Sequence, residues 1–206
     1  MDVRTFIAGF IDNHEGGLSL DAKDAGNWFD AGRWARGERM VRGAGALVGS
    51  KFGITGGALA TYLKTPAAVT ATRIAAITRI EAIDIGVELY YRRPGLAKLP
   101  WNRVTAAVID MGFNAGSGTA NKLLQRAIGA VDDSKIGPVT VAVFRDQVDR
   151  FGEEKVMAAF TLQRERYYSE IASNEGPNDP DKRFLKGWLN RARSFLKGTA
   201  WWGKWK

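Results

Sequence analysis

Cysteine is absent from the 206 residues, and histidine occurs once, at His14. The first absence removes disulfides, Cys-ligated zinc and thiol nucleophiles together, though it leaves the compartment open. The second narrows the chemistry further. A Ser-His-Asp triad would have to use His14, and a catalytic zinc site normally needs two or three histidines. No apolar run approaches transmembrane length, so no membrane-spanning helix is expected. Met1 to Phe6 lacks the basic, apolar and small-residue series of a signal peptide, and no leader is expected. Gly43-Ala-Gly45 and Gly53-Ile-Thr-Gly-Gly57 lack the Gly-Lys-Ser/Thr ending of a phosphate-binding loop. No metal and no cofactor is expected. Carboxylates remain, and an acid with a base suffices to hydrolyse an acetal such as a glycosidic bond.

Acidic residues are missing from the C-terminal segment. Lys182 to Lys206 holds eight basic residues and no acidic one, while the other 22 Lys and Arg balance all 22 Asp and Glu. The net charge of +8 therefore belongs to that segment. It implies a polyanionic partner: nucleic acid, anionic lipid or an acidic wall polymer. In the tail, Trp201, Trp202 and Trp205 alternate with Lys204 and Lys206, which suits a bilayer interface. The alternative is that the tryptophans fold back over the core and leave the lysines in water. Nothing resembles a nucleic-acid recognition motif, so no specific nucleic-acid partner is expected.

What is present starts at Ile11-Asp-Asn-His-Glu15-Gly-Gly17. Val3, Phe6, Ile7, Phe10, Ile11 and His14 follow the i, i+3, i+4 spacing of one buried helix face. Asp2 is a candidate N-cap, and Gly16-Gly17 a left-handed stop. Glu15 thus sits at the end of a rigid element, and in isolation it reads as an ordinary helix-end glutamate.

Half of the 24 glycines fall at or before Gly57, which predicts turns and short strands over residues 16–55. Arg33, Arg36, Arg39 and Arg42 run through this part, and 46–55 is expected to supply one strand of a small sheet. Helices are predicted over 55–64, 70–78, about 79–91, 101–113, 119–128, 138–147, 153–173 and 181–196. In the third of these, Ile80, Ile83, Val87 and Tyr90/Tyr91 form the expected apolar stripe. Tyr90, Tyr91 and Trp188 read as core, Gln125 and Arg126 as solvent-facing, and Asp110 as a buried partner for an arginine. The fold class is mainly α, with a small β element beside the first helix. One structural unit of two lobes is expected, 1–100 and 101–196, followed by the tail 197–206.

A series of ordered motifs carries a family resemblance. His14-Glu-Gly-Gly17, Asp24-Ala-Gly26 and Lys51-Phe-Gly-Ile-Thr55 resemble the N-terminal signature of glycoside hydrolase family 108. Its members include phage endolysins and bacterial N-acetylmuramidases of lysozyme-like fold. Asp110-Met-Gly-Phe-Asn-Ala-Gly116, with Leu123 to Gly129 and Ile136 to Thr140, is similar to that family's peptidoglycan-binding segment, and Gly187 to Arg191 to its closing motif. One departure stands out. In the commonest family pattern the Asp-Gly and Gly-Ile-Thr motifs lie close together, whereas here 27–48 intervenes as an inserted hairpin or loop.

The resemblance implies a muramidase. Its substrate is peptidoglycan, cut at the β-1,4 bond between N-acetylmuramic acid and N-acetylglucosamine, with Glu15 as general acid. Such an acid must stay protonated near neutral pH, which burial against an apolar wall achieves by raising its pKa, to about 6 in lysozyme. Asp24 is the candidate second carboxylate and Asp30 its competitor, read otherwise as a substrate contact. Thr55 lies within reach of that carboxylate, or only caps the next helix. Lys51 is a candidate substrate contact. Asn114 either bonds an N-acetyl group or ends its helix. A lytic transglycosylase and a catalytically silent peptidoglycan-binding module are the alternatives. The missing leader fits a phage endolysin held in a host cytoplasm until a holin releases it to the wall, and also a bacterial enzyme exported by other means. A monomer is expected, whose basic tail contacts anionic membrane or lipopolysaccharide.

Overall fold

The computed structural model describes residues 1–14, 17–173 and 182–199, with the backbone alone at 13, 14, 182 and 183. These form two compact units. One comprises Asp2–Leu89, and the other comprises Met1 with the chain from Tyr90 onward.

The first unit begins with α1 (Val3–His14). Asp2 caps it through a hydrogen bond from the Thr5 N–H. Phe6, Ile7, Phe10 and Ile11 are buried as their spacing predicts. Each contributes about 1.5–3 kcal/mol of hydrophobic stabilisation. Gly16, the first half of the expected left-handed stop, lies outside the described residues.

The small β element is built from pairs of two-residue strands. β1 (Leu18–Ser19), β4 (Ser50–Lys51) and β5 (Ile54–Thr55) form one antiparallel sheet, and β2 (Trp28–Phe29) pairs with β3 (Ala46–Leu47) in another. The single strand expected over 46–55 is therefore three short pieces. Phe52 and Gly53, both at positive φ, turn β4 back onto β5 as a two-residue hairpin of the primed type demands. Pairing of Trp28 with Leu47 and of Phe29 with Ala46 closes the segment read as an insertion. Gly45 is required there. A Cβ at this position would lie 2.1 Å from the Phe29 carbonyl oxygen. Inside the segment lies α2 (Ala31–Ala35), unforeseen because five residues carry no periodicity.

Three further helices complete this unit: α3 (Gly56–Leu63), α4 (Ala71–Ala75) and α5 (Arg79–Val87), capped by Thr55, Thr70 and Thr78. One expected stripe residue is misplaced. Ile83 and Val87 are buried, but Ile80 is 67% exposed, and Ala82 and Ile85 take the inward positions instead. Ile80 stands in the first turn, where the chain has just entered from the Thr78 cap.

In the second unit α6 (Arg103–Ala115) is buried over ten of its residues and packs against α7 (Ser117–Ile128) and α9 (Glu153–Ser173). α8 (Pro138–Phe151) and α10 (Lys182–Arg193) pack on α9. The unit begins at Tyr90, not at the boundary of 100 read from the sequence, and the reason is aromatic. Tyr90 stacks on Phe113 and Tyr91 meets Trp101 edge to face.

Gln125 overturns its reading as solvent-facing, because it is fully buried. Its amide nitrogen lies 2.8 Å from Asp133 Oδ1 and 3.1 Å from the Lys135 carbonyl, and its oxygen accepts from the Ser134 N–H. It thereby clasps the loop before α8. Gln125→Leu should destabilise by about 3 kcal/mol, since buried partners lose their hydrogen bonds. Thermal unfolding measures it. The Asp133 carboxyl is held below its ordinary range by the Lys135 N–H and then by the Gln125 amide. A depressed carboxyl stabilises above its unfolded pKa and loses that contribution as pH falls through the folded value. The acid limb of stability, below about pH 4, should therefore flatten in Gln125→Leu.

Candidate active site

Glu15 lies outside the described residues, as do Trp201, Trp202, Lys204, Trp205 and Lys206. The chain on either side of Glu15 is anchored. In the last turn of α1, Asp12 receives two hydrogen bonds from Arg79, at 2.7 and 2.6 Å, which tie α1 to the start of α5. Those bonds hold the Asp12 carboxyl below its usual range. Downstream, Leu18 pairs with Lys51 across β1 and β4. Sequence reasoning missed Arg79, whose only signal was a charge 67 positions away.

Asp24 is exposed and caps a 3-10 turn, Ala25–Asn27, accepting from the Gly26 N–H at 2.8 Å. Gly26 brings the two signature motifs together. A Cβ on it would stand 3.2 Å from Asp24 Oδ1 and 3.5 Å from Thr55 Cγ2, so the aspartate and the threonine flank one glycine. Thr55 is also the cap of α3, its hydroxyl accepting from the Ala58 N–H. Asp30 is differently engaged. It caps α2 through the Arg33 N–H at 2.8 Å, and its own N–H points at Met40 Sδ. Asp24 and Thr55 thus both border Gly26, each bonded to its own cap, while Asp30 serves the inserted segment.

Lys51 is turned to its own fold. Its ammonium donates to the Ala75 carbonyl at 2.6 Å, at the C-terminal end of α4 where a cation is favoured. Asn114, in the last turn of α6, is exposed, and its amide nitrogen donates to the Tyr168 hydroxyl at 2.8 Å. Sequence reasoning missed Tyr168 as well, 54 positions away. Among the described residues no three His, Asp or Glu side chains cluster as metal ligands would.

Residues 8–116 match the family model of Glycosyl hydrolase 108, which is more than half of the chain. The chain belongs to glycosyl hydrolase family 108. As a member it is a glycoside hydrolase. Residues 119–193 match a second model, described as a Predicted Peptidoglycan domain. Together the two matches make this family 108 enzyme a peptidoglycan-degrading hydrolase. Its mainly α, lysozyme-like fold with a small β element agrees with the class read from the sequence. The solved structure of Brucella abortus SagA is similar, at a TM-score of 0.65 and 21% identity, covering 96% of this chain and 97% of that one. That likeness concerns the fold. No curated protein matches.

Proposed function

We propose that this family 108 hydrolase cleaves the β-1,4 bond between N-acetylmuramic acid and N-acetylglucosamine, with Glu15 as general acid. The observation that carries the reading is the Glycosyl hydrolase 108 match, which spans the Glu-Gly-Gly, Asp-Ala-Gly and Gly-Ile-Thr motifs in order. The Glu15 carboxyl gives its proton to the glycosidic oxygen as the C1–O bond breaks, and the bond's electron pair leaves with that oxygen. Asp24 orients a water for attack at C1 and takes its proton, with Thr55 across Gly26 holding the aspartate side of the site. A water between the two carboxyls requires a separation of about 6.5–9.5 Å and gives inversion. Lys51, Asp30 and Asn114 are substrate-side residues in this reading. Lys51 acts through the β4 and α4 framework, and Asn114 acts directly.

The released fragments decide the reaction. Mass spectrometry of muropeptides from purified peptidoglycan should find reducing N-acetylmuramic acid ends, about 18 Da (one water) heavier than the anhydro ends that a lytic transglycosylase leaves. Anhydro ends would replace the hydrolase with a transglycosylase, and no released fragment would leave a peptidoglycan-binding module. We further propose that the enzyme works as a monomer on the wall, after holin release from a host cytoplasm. In that setting the basic, tryptophan-bearing segment from Lys182 onward meets an anionic membrane or lipopolysaccharide.

A further inference from the structure

Asn114 is exposed, yet its amide is oriented from behind. Tyr168, 2% exposed, sets it. The Tyr168 hydroxyl lies 3.1 Å from Met111 Sδ and 2.8 Å from Asn114 Nδ2. A thioether sulfur can only accept, so the hydroxyl proton goes to Met111 and its lone pairs face Asn114. The amide nitrogen of Asn114 must therefore point at Tyr168, which leaves its carbonyl oxygen and second N–H for the outside. The ring of Tyr168 is fixed in turn. It stacks on Trp188 of α10, with centroids 5.4 Å apart and planes 26° from parallel, and meets Tyr167 edge to face. The matched segments interlock here. Asn114 and Met111 close the hydrolase match, while Tyr168 and Trp188 belong to the peptidoglycan match.

We propose that Tyr168 is a positioning residue that holds the Asn114 amide in the one orientation complementary to an acetamido group, and so sets preference for N-acetylated glycan. The fixed carbonyl of a primary amide accepts from the N–H of an acetamido substituent, one hydrogen bond of set direction, because the substituent is trans and its own carbonyl faces the other way. A freely rotating amide would pay the ordering entropy on binding and would tolerate other groups equally. This rests on the reading of Asn114 as a contact to the glycan of peptidoglycan.

Tyr168→Phe tests it, since the phenyl ring keeps its stack on Trp188 and loses only the hydroxyl. Sedimentation binding and hydrolysis are measured on fully N-acetylated peptidoglycan and on the same wall chemically de-N-acetylated. The polymer's altered charge acts on parent and variant alike, so the ratio between substrates isolates the acetamido contact. The acetylated-to-deacetylated binding ratio should fall about three- to tenfold in Tyr168→Phe, the worth of one oriented hydrogen bond, and fall in the same direction in Asn114→Ala. A merely structural role would weaken binding to both walls equally and leave the ratio unchanged, which overturns the proposal. If Asn114→Ala lowers the ratio and Tyr168→Phe does not, the amide needs no positioning, and the proposal is likewise overturned while the substrate reading stands. If the parent binds with this preference but releases no fragments, the hydrolase reading of this chain fails and the acetamido inference survives.

Discussion

Glu15→Gln is expected to slow hydrolysis of purified peptidoglycan by a factor of about a hundred to ten thousand, with its thermal unfolding unchanged. Glutamine has the size and most of the hydrogen-bonding capacity of a protonated glutamate, but it has no proton to give to a departing sugar oxygen. The loss therefore measures proton donation rather than shape. Retained folding is expected because the neighbours of this position are held by other residues. Asp12 and Arg79 fix the last turn of α1, and the Leu18–Lys51 pairing fixes the strand that follows. Zone clearing and turnover of dyed wall supply the readout, with circular dichroism as the folding control. A Glu15→Gln protein that folds and lyses as fast as the parent sinks the mechanism. Asp24→Asn belongs beside it in the same assay. A residue that only orients water and accepts its proton should cost less than the acid, and undiminished activity would remove Asp24.

The sequence made the long helices legible, because each carries several turns of 3.6-residue periodicity, and α6 and α7 end at Gly116 and Gly129. α6, α7 and α9 fall within about two residues of their expected ends. The β element was legible only as a region. Strands of two residues have too few alternations to declare a register, and the turn at Phe52-Gly53 supplies what the side chains do not. Partners were less legible than positions. Asp110 reads as a buried mate for an arginine, yet Arg164 and Arg191 stand 54 and 81 positions away, and nothing in composition selects them from the other arginines. The same distance hid Tyr168 behind Asn114. Gln125 misled for another reason, since an amide facing a loop and an amide facing water look alike until the loop is closed. Motif and packing boundaries also differ. The hydrolase match runs to Gly116, through α6, while α6 is the buried centre of the unit that starts at Tyr90.

Asp110→Ala is expected to destabilise the protein by about 3–5 kcal/mol, at least as much as the loss of the Gln125 amide. The carboxylate is 2% exposed and accepts from two guanidinium groups, Arg164 through Nη2 and Arg191 through Nε at 3.0 Å. Arg164 is fully buried, near the rings of Phe160 and Phe195 at 5.9 and 5.7 Å, and among the described residues its Nε and Nη1 have no hydrogen-bond acceptor. Aromatic faces attract a cation, but by about 2 kcal/mol at most, far less than the cost of a buried charge without a counter-ion. Removing Asp110 therefore strands Arg164. The converse substitution is milder. Arg164→Met leaves Asp110 paired with Arg191, whose side chain is 24% exposed and keeps that pair partly hydrated, so the loss should be clearly smaller than for Asp110→Ala. Replacing both, as Asp110→Leu with Arg164→Met, should recover much of the Asp110→Ala loss, since two apolar side chains take the place of an ion pair that was expensive to bury. Urea unfolding of the three proteins gives the order directly. A cost for Asp110→Ala no greater than for Arg164→Met would mean that Arg164 finds another counter-charge. In that case α10 would be held to α6 and α9 by its apolar contacts, Trp188 on Tyr168 foremost, and not by the carboxylate that joins all three helices.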